Sequence, residues 1–143
     1  MTRRTVDQLE VQGRRVLVRL DLNVPLDGGR ITDDLRIRAA LPTVRSIIER
    51  GGTVVAMSHL GRPKGVDDAL RLAPVAARMA ELLGQPVTAL KETIGSAVEE
   101  AVSGQPAGSV VLLENLRFDP GEKAADPAFA KALAALGDAY VDD

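Results

Sequence analysis

The chain has 143 residues, 45% hydrophobic and 27% charged, which is the balance of a folded globular domain and excludes a disordered or fibrous one. With 18 Lys and Arg against 20 Asp and Glu the formal charge is -2, so the overall field favours neither nucleic acid nor an anionic membrane, and any anion site must be local. The absence of cysteine excludes disulfides and thiolate metal ligands and fits a reducing compartment.

Met1 to Gln12 lacks the apolar stretch of a signal peptide, and no run approaches the roughly 18 apolar residues of a membrane span, so a cytoplasmic location is expected. Val16 to Leu20 is short and rich in β-branched residues, and it runs into Asp21-Leu22-Asn23-Val24-Pro25 as a strand enters a loop. After a Gly28-Gly29 turn, Asp33 or Asp34 can cap a helix whose apolar positions Ile37, Leu41, Val44 and Ile48 lead to a Gly51-Gly52 stop. Pro42 lies inside that helix, where a kink or break is expected.

Thr53 to Ser58 reads as the second strand, and it empties into the basic, glycine-rich loop His59 to Gly65. A helix follows over about Ala73 to Leu83, with Val75, Met79 and Leu82 on one stripe and Gly84 at its C-cap. Pro86 to Leu90 is a plausible strand, Gly95 to Val102 a short helix, and Val110 to Leu113 an apolar run suited to a strand buried on both faces. Asp126-Pro127 opens a helix carrying Phe129, Leu133 and Leu136, and Ala139 to Val141 reads as a last strand. Strands alternating with helices in this way imply an α/β fold: a doubly wound, mainly parallel sheet, three-layered and Rossmann-like, in a single domain.

In such sheets ligands bind beyond the carboxyl ends of the strands. The first strand delivers Arg19, Asp21 and Asn23 there, on one face by the period of two, the second delivers His59 and Arg62, and the fourth delivers Arg117. Arg36 falls in the opening turn of the first helix, where the dipole and free N–H groups already favour an anion. Four arginines around one site suit carboxylate or phosphate oxygens, and Asp21 and Asn23 can hold ligand hydroxyls. The residues alone thus indicate a small acidic metabolite. Each also has a plainer reading: a lone arginine as a solvated charge, His59 as a hydrogen-bonded structural histidine, Gly61, Pro63 and Gly65 as turn residues, and Glu99-Glu100, Glu122-Lys123 and Asp142-Asp143 as exposed charge. The position after the first strand lacks G-x-G-x-x-G, and the chain contains no Walker A sequence, H-E-x-x-H or G-x-S-x-G, so no dinucleotide, zinc or serine-hydrolase site is indicated.

Arg19-Leu20-Asp21-Leu22-Asn23-Val24-Pro25, Ile31 to Ile37, Ser58-His59-Leu60-Gly61-Arg62-Pro63 and Leu113-Glu114-Asn115-Leu116-Arg117-Phe118 resemble, in order and spacing, the N-terminal domain of phosphoglycerate kinase. The resemblance runs from about Val6 to Asp143. Leu20 and Leu22 stand where the family more often has valine and phenylalanine.

The resemblance implies a glycolytic kinase moving a phosphoryl group between 1,3-bisphosphoglycerate and ADP, giving 3-phosphoglycerate and ATP. It implies that residues 1–143 are the substrate-binding domain of a two-domain protein, with Mg-ATP or Mg-ADP held on a C-terminal domain outside this chain and no cofactor or metal bound here. Asp21 and Asn23 would bind the glycerate portion, His59, Arg62 and Arg117 its phosphate end, and Arg19 would support the pocket, with Leu22, Leu60 and Gly61 completing the substrate-binding set. Arg36 would face the transferring group as the catalytic residue. The attacking carboxylate, with a pKa near 3.5, is already ionised, so no general base is needed. The expected partners are the triose acids alone, with no nucleic acid or membrane, and the full-length protein is expected to be a monomer. A self-standing binding module for small phosphorylated acids is the other class that the residues leave open.

Overall fold

The computed structural model describes residues 10–27, 30–61, 63, 66–119 and 126–142. The Gly28-Gly29 turn, Arg62, Lys64, Gly65, the Glu122-Lys123 pair and Asp143 lie outside the described residues.

In chain order the elements are β1 (Arg15–Arg19), β2 (Leu26–Asp27), β3 (Arg30–Ile31), α1 (Leu35–Glu49), β4 (Thr53–Met57), α2 (Ala73–Leu83), β5 (Val87–Ala89), α3 (Ser96–Ser103), β6 (Val110–Leu112), α4 (Pro127–Ala134) and β7 (Ala139–Asp142), with 3-10 turns at Asp68–Leu70 and Leu116–Phe118. Five strands form one sheet in the order β5-β6-β4-β1-β7, and every pairing in it is parallel. The small β2-β3 pair is antiparallel and separate.

Side-chain alternation divides the core into two layers. Val16, Val18, Val54, Ala56, Val110 and Leu112 turn to one face, where Ile37, Val44 and Ile47 of α1 and Val75 and Met79 of α2 cover them. Leu17, Val55, Met57 and Val111 turn to the other, beneath Val98 and Val102 of α3 and Phe129 and Leu133 of α4. With both faces covered, β4 and β6 are buried at every residue, as the unbroken apolar runs required. Burying each large aliphatic side chain contributes roughly 1.5–3 kcal/mol, which is what holds the helices to the sheet. The doubly wound parallel fold expected from the pattern is therefore the one found.

Two local features refine the sequence reading. Helix α1 runs unbroken through Pro42. The proline removes the hydrogen bond to the Arg38 carbonyl, but Arg38 and Pro42 are both exposed, while Ile37, Leu41, Val44 and Ile47 anchor the helix on either side of it. At the head of α1 the two candidate caps take different work. Asp33 Oδ1 accepts from the Leu35 N–H at 2.9 Å, while the Asp34 carboxylate makes no cap bond and joins Arg38 at 3.0 Å and Arg78 of α2 at 2.8 Å. The other expected caps are in place: Asp126 Oδ1 accepts from the Ala128 N–H at 2.9 Å, and Gly84 closes α2 in the left-handed conformation with φ of 74°. Among the described residues no helix is long and apolar enough to cross a membrane.

Candidate functional site

Because β1, β4 and β6 are adjacent and parallel, the three loops that leave their carboxyl ends lie side by side. The backbone extends the sheet pairing into them: the Leu20 N–H donates to Met57 O at 3.0 Å, and the Leu116 N–H to Ser58 O at 3.1 Å. Side chains then tie the loops together. Ser58 Oγ accepts from the buried Leu22 N–H at 3.0 Å, and Asn23 Oδ1 accepts from the Gly61 N–H at 3.0 Å. Arg117 Nη1 donates to Gly61 O at 3.0 Å. Gly61 thus meets the β1 loop through its N–H and the β6 loop through its carbonyl.

Arg36 reaches the same place from the first turn of α1. Its Nη1 donates to Asn23 O at 2.7 Å and lies 3.4 Å from Asp21 Oδ1. The Arg36 and Asp21 side chains are 54% and 62% exposed, and such an ion pair contributes about 0–1 kcal/mol, so Arg36 is held mainly by its 2.7 Å bond to the Asn23 carbonyl, which engages Nη1 of a guanidinium fork with further donors for an incoming anion. Asp21 is itself set by its loop, since its Oδ1 accepts from the Asn23 N–H at 3.2 Å.

The structure gathers Asp21, Asn23, Arg36, Gly61 and Arg117 into one bonded group. His59 is half-buried on the same loop, its carbonyl accepting from the Ser58 hydroxyl at 3.3 Å. Leu22 and Leu60 belong to the core with 0% and 1% exposure, and the N–H of each is bonded within the protein, so they anchor the loops from below. Arg19 also faces a second wall. It lines a groove of about 540 Å³ between the end of β1 and α4, with Leu17, Met57, Phe129, Leu133 and Tyr140. Its charge acts on Tyr140, whose phenol is pushed above the ordinary value by burial and then by the Asp142 charge, with Arg19 opposing. Arg62 lies outside the described residues.

Glu114 and Asn115, which follow the apolar run of β6 and Leu113, are both buried, at 4% and 0% exposure. The Glu114 carboxylate accepts from Arg71 Nη1 at 2.9 Å, from the Leu72 N–H at 3.0 Å and from the Asn115 N–H at 3.0 Å. Arg71 also pairs with Asp68 at 2.7 Å, and Asp68 first and Glu114 second hold its guanidinium more firmly in the charged form. The sequence signal for this pair was available: two polar residues directly after a wholly apolar strand must find buried partners. Among the described residues no group of three or more His, Cys, Asp or Glu could hold a metal ion.

Chemically, the arrangement presents two guanidinium groups, an amide and a carboxylate around the ends of three strands. That suits a small ligand with an anionic end and hydroxyl groups.

The family model described as phosphoglycerate kinase matches residues 6–143. The phosphoglycerate kinase of Dictyoglomus turgidum is 53% identical over 146 residues, covering 100% of this chain and 37% of its own length. That of Thermomicrobium roseum is 56% identical over 141 residues, covering 98% of this chain and 36% of its own. The crystal structure of phosphoglycerate kinase from Pyrococcus horikoshii superposes with a TM-score of 0.84 at 33% identity, over 96% of this chain and 35% of that one. The chain therefore spans just over a third of the length of the relatives it matches. With the family match covering nearly every residue and the same fold in a solved relative, the chain belongs to the phosphoglycerate kinase family.

Proposed function

We propose that this chain is the acid-binding part of a phosphoglycerate kinase, holding 3-phosphoglycerate or 1,3-bisphosphoglycerate while a further domain, outside this chain, brings Mg-ADP or Mg-ATP. The observation that carries the reading is the single bonded frame in which Asp21, Asn23, Arg36 and Arg117 meet around Gly61 at the ends of β1, β4 and β6. With Asn23 Oδ1 committed to Gly61, the NH₂ end of that amide and the exposed Asp21 carboxylate are the groups for the ligand hydroxyl. Arg117, and with it Arg62 and His59, takes the phosphate end. Arg19 acts from the neighbouring groove as a support.

The reaction asks little proton chemistry of this chain. A carboxylate with a pKa near 3.5 is already a nucleophile at neutral pH, so alignment, exclusion of water and neutralisation of the moving phosphoryl are what remain. Arg36, exposed in the first turn of α1, is the group we assign to that charge, helped by the N-terminal dipole of the helix. We read the full-length protein as a cytoplasmic monomer with neither nucleic acid nor membrane as a partner; of this, the charge of -2 on the present chain supports only that its own surface draws neither polyanion.

Calorimetric titration of the chain with 3-phosphoglycerate and with ATP at two ionic strengths tests this. Binding of 3-phosphoglycerate that weakens as salt rises is expected. ATP binding equal to or tighter than that of the acid would overturn the assignment.

A further inference from the structure

A primary amide offers an oxygen that accepts two hydrogen bonds and a nitrogen that donates two. Asn115 uses all four. Its Oδ1 accepts from the Leu60 N–H at 3.1 Å and from the Arg117 N–H at 3.1 Å, and its Nδ2 donates to Leu60 O at 2.8 Å and to Leu70 O at 3.0 Å. One side chain thus grips both polar groups of the Leu60 backbone, as a neighbouring strand would, beyond the last paired residue of β4. It also caps the 3-10 turn that carries Arg117.

These contacts close a ring. From Asn115 Oδ1 the path runs to the Leu60 N–H, along the chain to Gly61 O, across to Arg117 Nη1, and back through the Arg117 N–H to Oδ1. The same oxygen therefore sets both the loop that carries His59 and the arginine that closes over it. Glu114 seats the ring from below by accepting from the Asn115 N–H and the Leu72 N–H. At 0% exposure Asn115 touches no ligand, so whatever it does for binding it does through Leu60, Gly61 and Arg117.

We propose that Asn115 is a positioning residue of the anion site, fixing the distance between the Leu60-Gly61 peptide and the Arg117 guanidinium. The effect on affinity rests on the reading of this site as one for a phosphorylated acid. Losing the amide leaves Arg117 free to leave Gly61 and leaves Leu60 with two unpaired buried groups. A tenfold loss of affinity corresponds to about 1.4 kcal/mol.

The experiment compares Asn115→Ala, Asn115→Ser and a core control, Ile47→Ala, whose fully buried side chain lies at the end of α1 remote from Arg36. Serine can still accept from the Arg117 N–H but does not reach Leu60, and it protects the test if the alanine variant does not fold. At a temperature where circular dichroism shows each variant folded, 3-phosphoglycerate should bind at least about tenfold more weakly to Asn115→Ala. Asn115→Ser should fall between that variant and the unaltered chain. Ile47→Ala should lose stability and keep its affinity within about twofold, as expected for a cavity distant from the ligand. Unchanged affinity in both Asn115 variants, or an equal loss in Ile47→Ala, overturns the proposal.

Amide hydrogen exchange without ligand separates this from the functional reading. Protection lost at Leu60, Gly61 and Arg117 ahead of the rest of the chain supports the positioning role even if the unaltered chain binds no 3-phosphoglycerate, in which case it is the ligand assignment that falls. Loss spread evenly over the chain in Asn115→Ala makes the residue a general stabiliser and overturns the proposal.

Discussion

Arg117 and Gly61, on loops from different strands, are joined by a 3.0 Å hydrogen bond from the guanidinium to the carbonyl, so the position of the arginine depends on the conformation of the glycine. Gly61 has φ of 63°, and an added Cβ would come within 2.9 Å of Leu70 Cδ2. Both the left-handed backbone and the close approach call for glycine. Gly61→Ala should destabilise the chain by about 1–2 kcal/mol, the cost of a side chain in that conformation, and should weaken binding of 3-phosphoglycerate. Adding Leu70→Ala relieves the contact but not the backbone, so the double variant should recover its affinity only in part. Urea denaturation and calorimetry on the two variants separate the two causes, and full recovery would assign the whole effect to the contact.

The two arginines of the frame should differ in kinetics when placed in a full-length protein. Arg36 lies exposed in the first turn of α1, where the helix dipole adds to its guanidinium at a developing charge, so Arg36→Ala should lower kcat by roughly 10³ or more. Arg117 is bonded to Gly61 and, on the function proposed above, would grip the same ligand group before and during reaction, so Arg117→Ala should appear mainly as a raised KM. Steady-state rates with circular dichroism as a fold check decide this. Near-normal kcat in Arg36→Ala, with only weaker substrate binding, would remove its transition-state role.

Acid stability should depend on Asp34. Hydrogen bonds from Arg38 first and from Arg78 next hold its carboxyl below the ordinary aspartate value in the folded chain. A lowered folded pKa means that the unfolded chain takes up the proton first. The contribution is therefore complete above about pH 4 and is lost as pH falls from there through the lowered value. Asn at this position has no such proton to gain. Urea midpoints measured from pH 6 to pH 2.5 should fall less steeply in Asp34→Asn than in the unaltered chain, and parallel curves would show that the ion pairs contribute nothing.

Where one periodic signal met one stop signal, the sequence was sufficient: α2 runs from Ala73 to Leu83 with Gly84 at its cap, within the bounds read from the pattern. The site was legible for a similar reason, since a parallel sheet sends the residues after each strand to one edge whatever the strand order. What escaped depended on partners far away in the chain. The passage of α1 through Pro42 rests on packing across the helix, and β2 and β3 have two residues each, too few to show a period. The work of Asn115 depends on Leu60, 55 residues earlier. Arg19 shares its parity with Asp21 and Asn23, yet α4 and β7 build a different wall around it.

The strand order also has a temporal side. β1 meets β4 at Arg15 and Thr53, whereas the bond between Arg15 and Asp138 that seats β7 spans 123 residues. Closing the longer loop costs about 1 kcal/mol more in chain entropy. The three strands whose ends carry Asn23, Gly61 and Arg117 can therefore assemble before the strand that walls the Arg19 groove. On a chain emerging from its N-terminus, the frame for the anion is complete once β6 and its following turn have joined, and the edge is added to a site that already exists.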